Sequence, residues 1–358
     1  PTTGKTIPAF GKNDAAYRQW QQQHPEYAHV FAGREAVKSR LNETRAQRFI
    51  DSVNAEGCIP APLKYYAAHT GRFGGTEKIN LQNLPRNSEL RKVLEAPEGK
   101  LMFVADLSNI ESRMLAWLAD QDNLLELYSH GADVYSSFAS NLYGRTITKE
   151  DETERFVGKT AILGLGYGMG AHKFKATLKA AGIELPFEEC LSAVNTYRST
   201  YAAIPALWER SERILRQALS LGYEDRFTYS YKCLEAAPNS ITLPNGMALK
   251  YHNLNLLGNG KLQYESNNKI EYTYGGKITE NIIQALSRIV ICEQMLAIQQ
   301  EKDFEVVLTV HDEIIAISDE DNPKSKLDKM LFMMREPPSW ALGLPLDAEG
   351  GWDKCYSK

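Results

Sequence analysis

The sequence predicts an α+β fold, and three stretches carry that prediction. Residues 13–50 are rich in Gln, Arg, Glu and Ala with apolar residues at helical spacing. Residues 101–105 form a short apolar run bounded by Gly99 and polar residues, and residues 305–310 and 314–317 are two strand-like runs around His311-Asp312-Glu313. The chain has 358 residues, 43% hydrophobic and 24% charged, with 25 Gly and 15 Pro. This usage excludes disordered, collagenous and short-repeat chains, and at roughly 100–200 residues per domain the length holds two or three units around a sizeable core. The net charge of −4 names no partner by itself. Its distribution says more: residues 1–100 carry +5 and the remainder −9. A basic front and an acidic back fit a surface that meets a polyanion beside a site that holds cations, although solvated faces alone give the same asymmetry.

Cys58, Cys190, Cys233, Cys292 and Cys355 are far apart, and none forms a CxxC or pairs with a nearby His. Neither a zinc site nor a disulfide framework is expected. No run of about 18 apolar residues is present and the first 30 residues are polar, so no membrane span or signal peptide is expected, and the chain reads as intracellular. It begins with Pro1, so an upstream segment with activities of its own is also expected.

Taken in order, Thr3-Gly4-Lys5-Thr6 resembles the tail of a phosphate-binding loop but lacks the earlier Gly and the preceding strand. Over residues 13–50, Pro25 divides the helical pattern into two helices. Residues 57–100 change to short extended pieces with turn residues, among them Thr70-Gly71-Arg72-Phe73-Gly74-Gly75 and Asn80-Leu81-Gln82-Asn83-Leu84-Pro85-Arg86. Arg72, Gln82, Asn83 and Arg86 are of the types that reach sugar, phosphate and base-edge acceptors, though polar loops alone look the same. The run 101–105 reads as a buried strand with Asp106 at its end. Asn109-Ile110-Glu111-Ser112-Arg113 then opens a helix with Ile110, Met114, Leu115, Trp117 and Leu118 on one face. Asp106 is placed either to hold a metal or to cap that helix.

Thr148-Lys149-Glu150-Asp151 reads as a capping box opening a further helix. Arg155, Lys159, Leu163 and Tyr167 recur every four residues, so they drift by about 40° per step and share one face. Two cations one turn apart can clamp a triphosphate, and an aromatic further along can stack on a base. Gly164, Gly166, Gly168 and Gly170 leave the exit bare. Residues 281–300 form an amphipathic helix carrying Gln284 and Arg288, and the final hairpin projects acids from its tip.

Asp106-Leu107-Ser108-Asn109-Ile110-Glu111-Ser112-Arg113, Arg155-x3-Lys159-x7-Tyr167-Gly168 and Val310-His311-Asp312-Glu313 resemble, in order and spacing, the three polymerase motifs of family A DNA polymerases, the DNA polymerase I type. The Thr70-Gly71-Arg72 and Asn80–Pro85 segments extend the resemblance over nearly the whole chain from about residue 30, and the composition is closer to a phage-type member than to a bacterial housekeeping one.

The resemblance implies a right hand: a partial thumb over 1–55, palm over 56–120 and 277–358 with an antiparallel sheet, and helical fingers over 121–276. It implies template-directed addition of deoxynucleotides to a primer on primer-template DNA. Asp106 and Asp312, with the backbone carbonyl of Leu107, match the ligands of two Mg²⁺ ions, which in polymerases and other two-metal sites lie about 3.5–4 Å apart. Arg155 and Lys159 match residues that grip the triphosphate, Lys159 also as proton donor to pyrophosphate. Glu111 matches the residue that excludes a 2′-hydroxyl, and Tyr167 the template-base position. Arg72 matches a minor-groove reader, where acceptors shared by all base pairs permit a sequence-independent check. Gln284, His311 and Glu313 fall at positions that contact primer or shape the site.

Leu163 departs from the family's usual aromatic beside the incoming sugar, and Leu107 and Asn109 replace a common Tyr and Gln. The first thumb helices have no counterpart, which implies weak DNA retention, and no acidic exonuclease motif precedes the palm, which implies no proofreading by this chain. An upstream exonuclease or thumb segment, further replication partners and a cytoplasmic setting in a bacterial or phage-infected cell complete the expectation. Two alternatives stand beside it. A single-subunit RNA polymerase shares the fold but lacks the Glu at position 111 and carries Ser where Glu313 stands; a non-catalytic DNA-binding fragment would keep the fold without the chemistry.

Overall fold

A computed structural model describes residues 15–38, 41–86, 88–221, 230–266 and 268–357; Thr3-Gly4-Lys5-Thr6 and the start of the predicted thumb lie outside the described residues. The centre is a four-stranded antiparallel sheet in the order Glu305–Val310, Glu313–Asp319, Lys100–Leu107, Ala348–Asp353. Period-two alternation divides the central strand between two cores. Leu101, Phe103, Ala105 and Leu107 join Ile282, Ile289, Ile314 and Ala316 on one face. Met102 and Val104 join Leu81, Leu84, Leu90, Leu308, Ile315 and Tyr356 on the other. A strand covered on both faces needs an unbroken apolar run, and this is why residues 101–105 carry one.

Phe103 is fully buried, with its ring set edge-on to Phe304 at 5.9 Å. Phe103→Ala is expected to cost about 3–5 kcal/mol through lost transfer energy and a residual cavity, read as a lower urea midpoint.

Seven helices lie between residues 110 and 220, from Ile110–Ala119 to Ala203–Ser220. The long helix Gly275–Gln300 packs beneath the sheet and begins earlier than the sequence pattern implies. By length and composition it is apolar enough to cross a membrane, although Lys277, Glu280, Arg288 and Glu293 interrupt it and leave no unbroken run of about 18 apolar residues. Its most apolar window is, however, 67% buried inside the protein, as a core helix is.

Two details of the helical regions go beyond the sequence pattern. Pro25 opens a 3-10 turn, Pro25–Tyr27, that separates the helix Ala15–Gln23 from Ala28–Lys38 where the sequence implies a break, and a helix is also described over Leu41–Ser52. Proline lacks the N–H that a continuing helix needs, so the first break is local. The expected helical fingers, 121–276, also contain two small antiparallel sheets, one of four strands from Ser230–Tyr231 to Ala248–Lys250 and one of three from His252–Leu256 to Lys269–Thr273. Their strands run two to five residues between turns at Asn239, Gly246 and Gly260, all with positive φ. Pieces this short give periodicity too little length to register. All five cysteines are free.

Candidate active site

Asp106 sits half-buried near the end of the central strand, and Asp312 sits in the turn joining Glu305–Val310 to Glu313–Asp319. The two meet because Leu107 donates its backbone N–H to the Asp312 carbonyl at 3.0 Å, one step beyond the Asp106–Glu313 register pair. Asp106, Leu107 and Asp312 line one cleft of about 660 Å³. Among the described residues no group of three or more His, Cys, Asp or Glu is gathered to hold a metal unaided. Two carboxylates and a backbone carbonyl fit Mg²⁺ all the same, because that ion is ordinarily held by one or two carboxylates with substrate phosphates and water filling the rest.

Across the cleft runs the helix Glu152–Leu165. It starts later than the Thr148 box implies: Asp151 is the N-cap, and its carboxylate accepts from the Thr148 backbone N–H at 2.8 Å and hydroxyl at 3.3 Å. Arg155, Lys159 and Leu163 line the cleft as their spacing requires. Lys159 is exposed and has no ion-pair partner among the described residues, while Leu163 leaves 44% of its surface open on the wall. Arg155 donates its Nε–H to the Asp133 carboxylate at 2.6 Å and lies 5.5 Å from the centre of the Tyr135 ring.

Asp133 caps the helix Val134–Tyr143, accepting from the Tyr135 N–H at 3.2 Å and the Ser136 hydroxyl at 3.0 Å. Burial raises its carboxyl, but the hydrogen bonds from Arg155 and Ser136 outweigh that and hold it below the ordinary range. The Tyr135 hydroxyl donates to Asn109, and burial pushes it above the usual phenol value. The two helices approach closely because Gly158 faces Tyr135, where an added Cβ would lie 2.2 Å from the carbonyl oxygen.

Tyr167 leaves the row that its spacing implies. The helix ends at Leu165, its last turn tightened by Tyr167 N–H to Gly164 at 3.3 Å and Gly168 N–H to Leu165 at 3.1 Å, while the Trp208 indole holds the Gly166 carbonyl at 2.8 Å. Tyr167 instead donates its hydroxyl to Glu111 at 3.4 Å, and burial, then the Glu111 charge, push that hydroxyl well above the ordinary value. The other Glu111 oxygen is ion-paired with Arg72.

The sequence model of DNA polymerase family A matches residues 4–358. The chain belongs to DNA polymerase family A. Among relatives of this family A chain, the DNA polymerase of Bacillus phage SP02 is 31% identical over 384 residues, covering 90% of the chain and 56% of the phage protein. The thermostable DNA polymerase I of Thermus thermophilus is 24% identical over 365 residues, covering 96% of the chain and 39% of that protein. The chain thus spans only about half of these relatives, or less. The polymerase domain of Pol1 from M. smegmatis, solved with DNA primer-template and dNTP, superposes with a TM-score of 0.72 at 23% identity, over 100% of this chain and 58% of that one. The fold is therefore the polymerase-domain fold, as the resemblance implied.

The remaining predicted residues of the family A chain divide by position. Arg86 is exposed and lines the cleft, and Asn83 is exposed near it in sequence. Gln82 is buried, its backbone N–H held by Asn80 at 3.1 Å, so its side chain is not presented as expected. Gln284 accepts from the Thr70 hydroxyl at 3.4 Å and donates to Glu280 at 3.2 Å, which places it beside the Arg72 segment. His311 is exposed at φ +57° in the hairpin turn. Glu313 is not at the tip: it is a buried strand residue whose carboxylate accepts from the Tyr356 hydroxyl at 3.1 Å.

Sequence reasoning missed Asp133, Tyr135, Asp347 and Glu349, which all line the cleft. Glu349 stands opposite Asp106 in strand register, and the alternation Asp347-Ala348-Glu349 was the available signal. Arg113 was quoted without a role. It donates to the Ser108 and Pro345 carbonyls, both at 2.8 Å, and lies 4.5 Å from the Tyr128 ring centre, which pins the turn after Asp106.

Proposed function

We propose that the chain adds deoxynucleotides to a primer 3′ end under the direction of a template, with thumb, fingers and palm divided as the resemblance implies. The observation that carries this reading is the meeting of Asp106 and Asp312 with Arg155 and Lys159 in the lining of one cleft. Carboxylates and cations lining one cleft suit a nucleoside triphosphate presented with divalent metal. The M. smegmatis polymerase domain, solved with primer-template and dNTP, supports DNA and nucleotide as partners.

In the reaction the primer O3′ gives up its proton to water and bonds to the α-phosphorus as the bond to the β-phosphate oxygen breaks and pyrophosphate leaves. Asp106, Asp312 and the Leu107 carbonyl would hold two Mg²⁺, which would supply the charge that makes the hydroxyl more acidic and neutralises the departing pyrophosphate. Arg155 and Lys159 grip the phosphates, and Lys159 donates the proton that pyrophosphate takes up. Glu111, held by the Tyr167 hydroxyl, closes the space that a 2′-hydroxyl needs. Tyr167 lies beside the template base, and Arg72 reads the primer minor groove once it leaves Glu111. No proofreading role is assigned to the residues of this chain, among which no acidic exonuclease motif stands before Asp106.

Primer extension with Mg²⁺, run with deoxynucleotides and ribonucleotides in parallel, tests the proposal. Wild type is expected to extend with deoxynucleotides, and Glu111→Ala to raise relative ribonucleotide use by roughly 10–100-fold. Equal extension with both by wild type would favour an RNA polymerase, and DNA binding without extension a binding fragment.

A further inference from the structure

We propose that Asp133 is a positioning residue for the nucleotide's triphosphate and acts through Arg155. The inference rests on reading the cleft as the nucleotide site. An arginine offers five N–H donors in a rigid fork. Here the Nε–H is taken by Asp133 at 2.6 Å, and no described residue accepts from the two terminal nitrogens of this cleft-lining side chain. One edge of the fork is anchored to the protein, and the terminal pair is left for a bidentate anion.

Asp133 is itself fixed. Its carboxylate is tied to the first turn of Val134–Tyr143 through the Tyr135 N–H and the Ser136 hydroxyl, so the helix start sets its direction. Tyr135 adds a ring on the guanidinium and passes its hydroxyl to Asn109, two residues before Glu111. The three side chains therefore connect the helix that carries the cations to the strand-end motif that carries Asp106. Arg155 is 31% exposed, and a long side chain at that exposure samples several rotamers unless something holds it. Holding it before the nucleotide arrives removes that ordering cost from binding.

The Asp133 charge also opposes a triphosphate, so the sign of the mutational effect discriminates. Lost orientation weakens nucleotide binding, whereas lost repulsion strengthens it. Asp133→Asn and Asp133→Ser both retain a good helix cap, and Ser is too short to reach Arg155. Measured by extension kinetics and by dNTP binding to enzyme on a dideoxy-terminated primer-template, both variants are expected to raise KM and Kd for dNTP roughly tenfold with kcat and DNA affinity near wild type. Asp133→Glu is expected to recover part of the loss, and in an Arg155→Ala background Asp133→Ser is expected to add nothing. Unchanged or tighter dNTP binding, or an equal penalty in the Arg155→Ala background, overturns the inference. Wild-type enzyme that forms no complex with dNTP would overturn the parent reading instead.

Discussion

Asp312→Asn is expected to lower nucleotide incorporation by at least about a thousandfold while leaving primer-template affinity intact. The substitution keeps the size and the turn preference of the residue, because Asn tolerates the same turn conformations as Asp. Asp312 is half-buried, and its backbone carbonyl, which takes the Leu107 N–H, is untouched. What changes is one negative charge beside Asp106. A neutral amide offers a divalent cation far less than a carboxylate does, so the loss appears in kcat and in Mg²⁺ dependence rather than in thermal stability. Activity within tenfold of wild type at saturating Mg²⁺ would remove the two-aspartate site as the reaction centre.

Gly158→Ala is the second large effect, and two opposing magnitudes decide its sign. Helix propensity alone predicts a gain of up to about 1 kcal/mol for replacing Gly by Ala inside a helix. The new methyl, however, would sit 2.2 Å from the Tyr135 carbonyl oxygen and 3.1 Å from the Ala139 Cβ. Backbone cannot swing aside as a flexible side chain does, so the helices must separate at an overpacking cost of about 1–3 kcal/mol. The expected result is a lower melting temperature together with a higher KM for dNTP, since separation also draws Arg155 away from Asp133. A raised melting temperature, with KM unchanged, would mean that propensity wins and that the close approach is unimportant.

The parts of the site legible in sequence are those whose chemistry and geometry lie within one segment. Arg155, Lys159 and Leu163 declare a common face through a spacing of four, and Asp106 declares itself by ending an apolar run. Asp133 could not be read this way, because its partner is 22 residues away and only the packing of two helices brings them together. The strand Ala348–Asp353 was hidden for another reason. Its two glycines speak against a strand, yet a Cβ on Gly350 would lie 2.5 Å from the Val104 carbonyl oxygen, so tight apposition to the central strand requires what propensity disfavours. Tyr167 was misplaced because spacing of four extrapolates a helix that stops at Leu165.

The order of strands in the central sheet also sets a timetable for the nascent chain. Lys100–Leu107 leaves the ribosome well before both of its neighbours, Glu313–Asp319 and Ala348–Asp353. Residues 108–312 must be made in between, which at about 5–20 residues per second takes about 10–40 s. For that interval a strand apolar on both faces has neither edge paired, a condition that favours association with other chains over folding. Asp106 and Asp312 come together only when that wait ends, so no shorter nascent product carries the assembled pair.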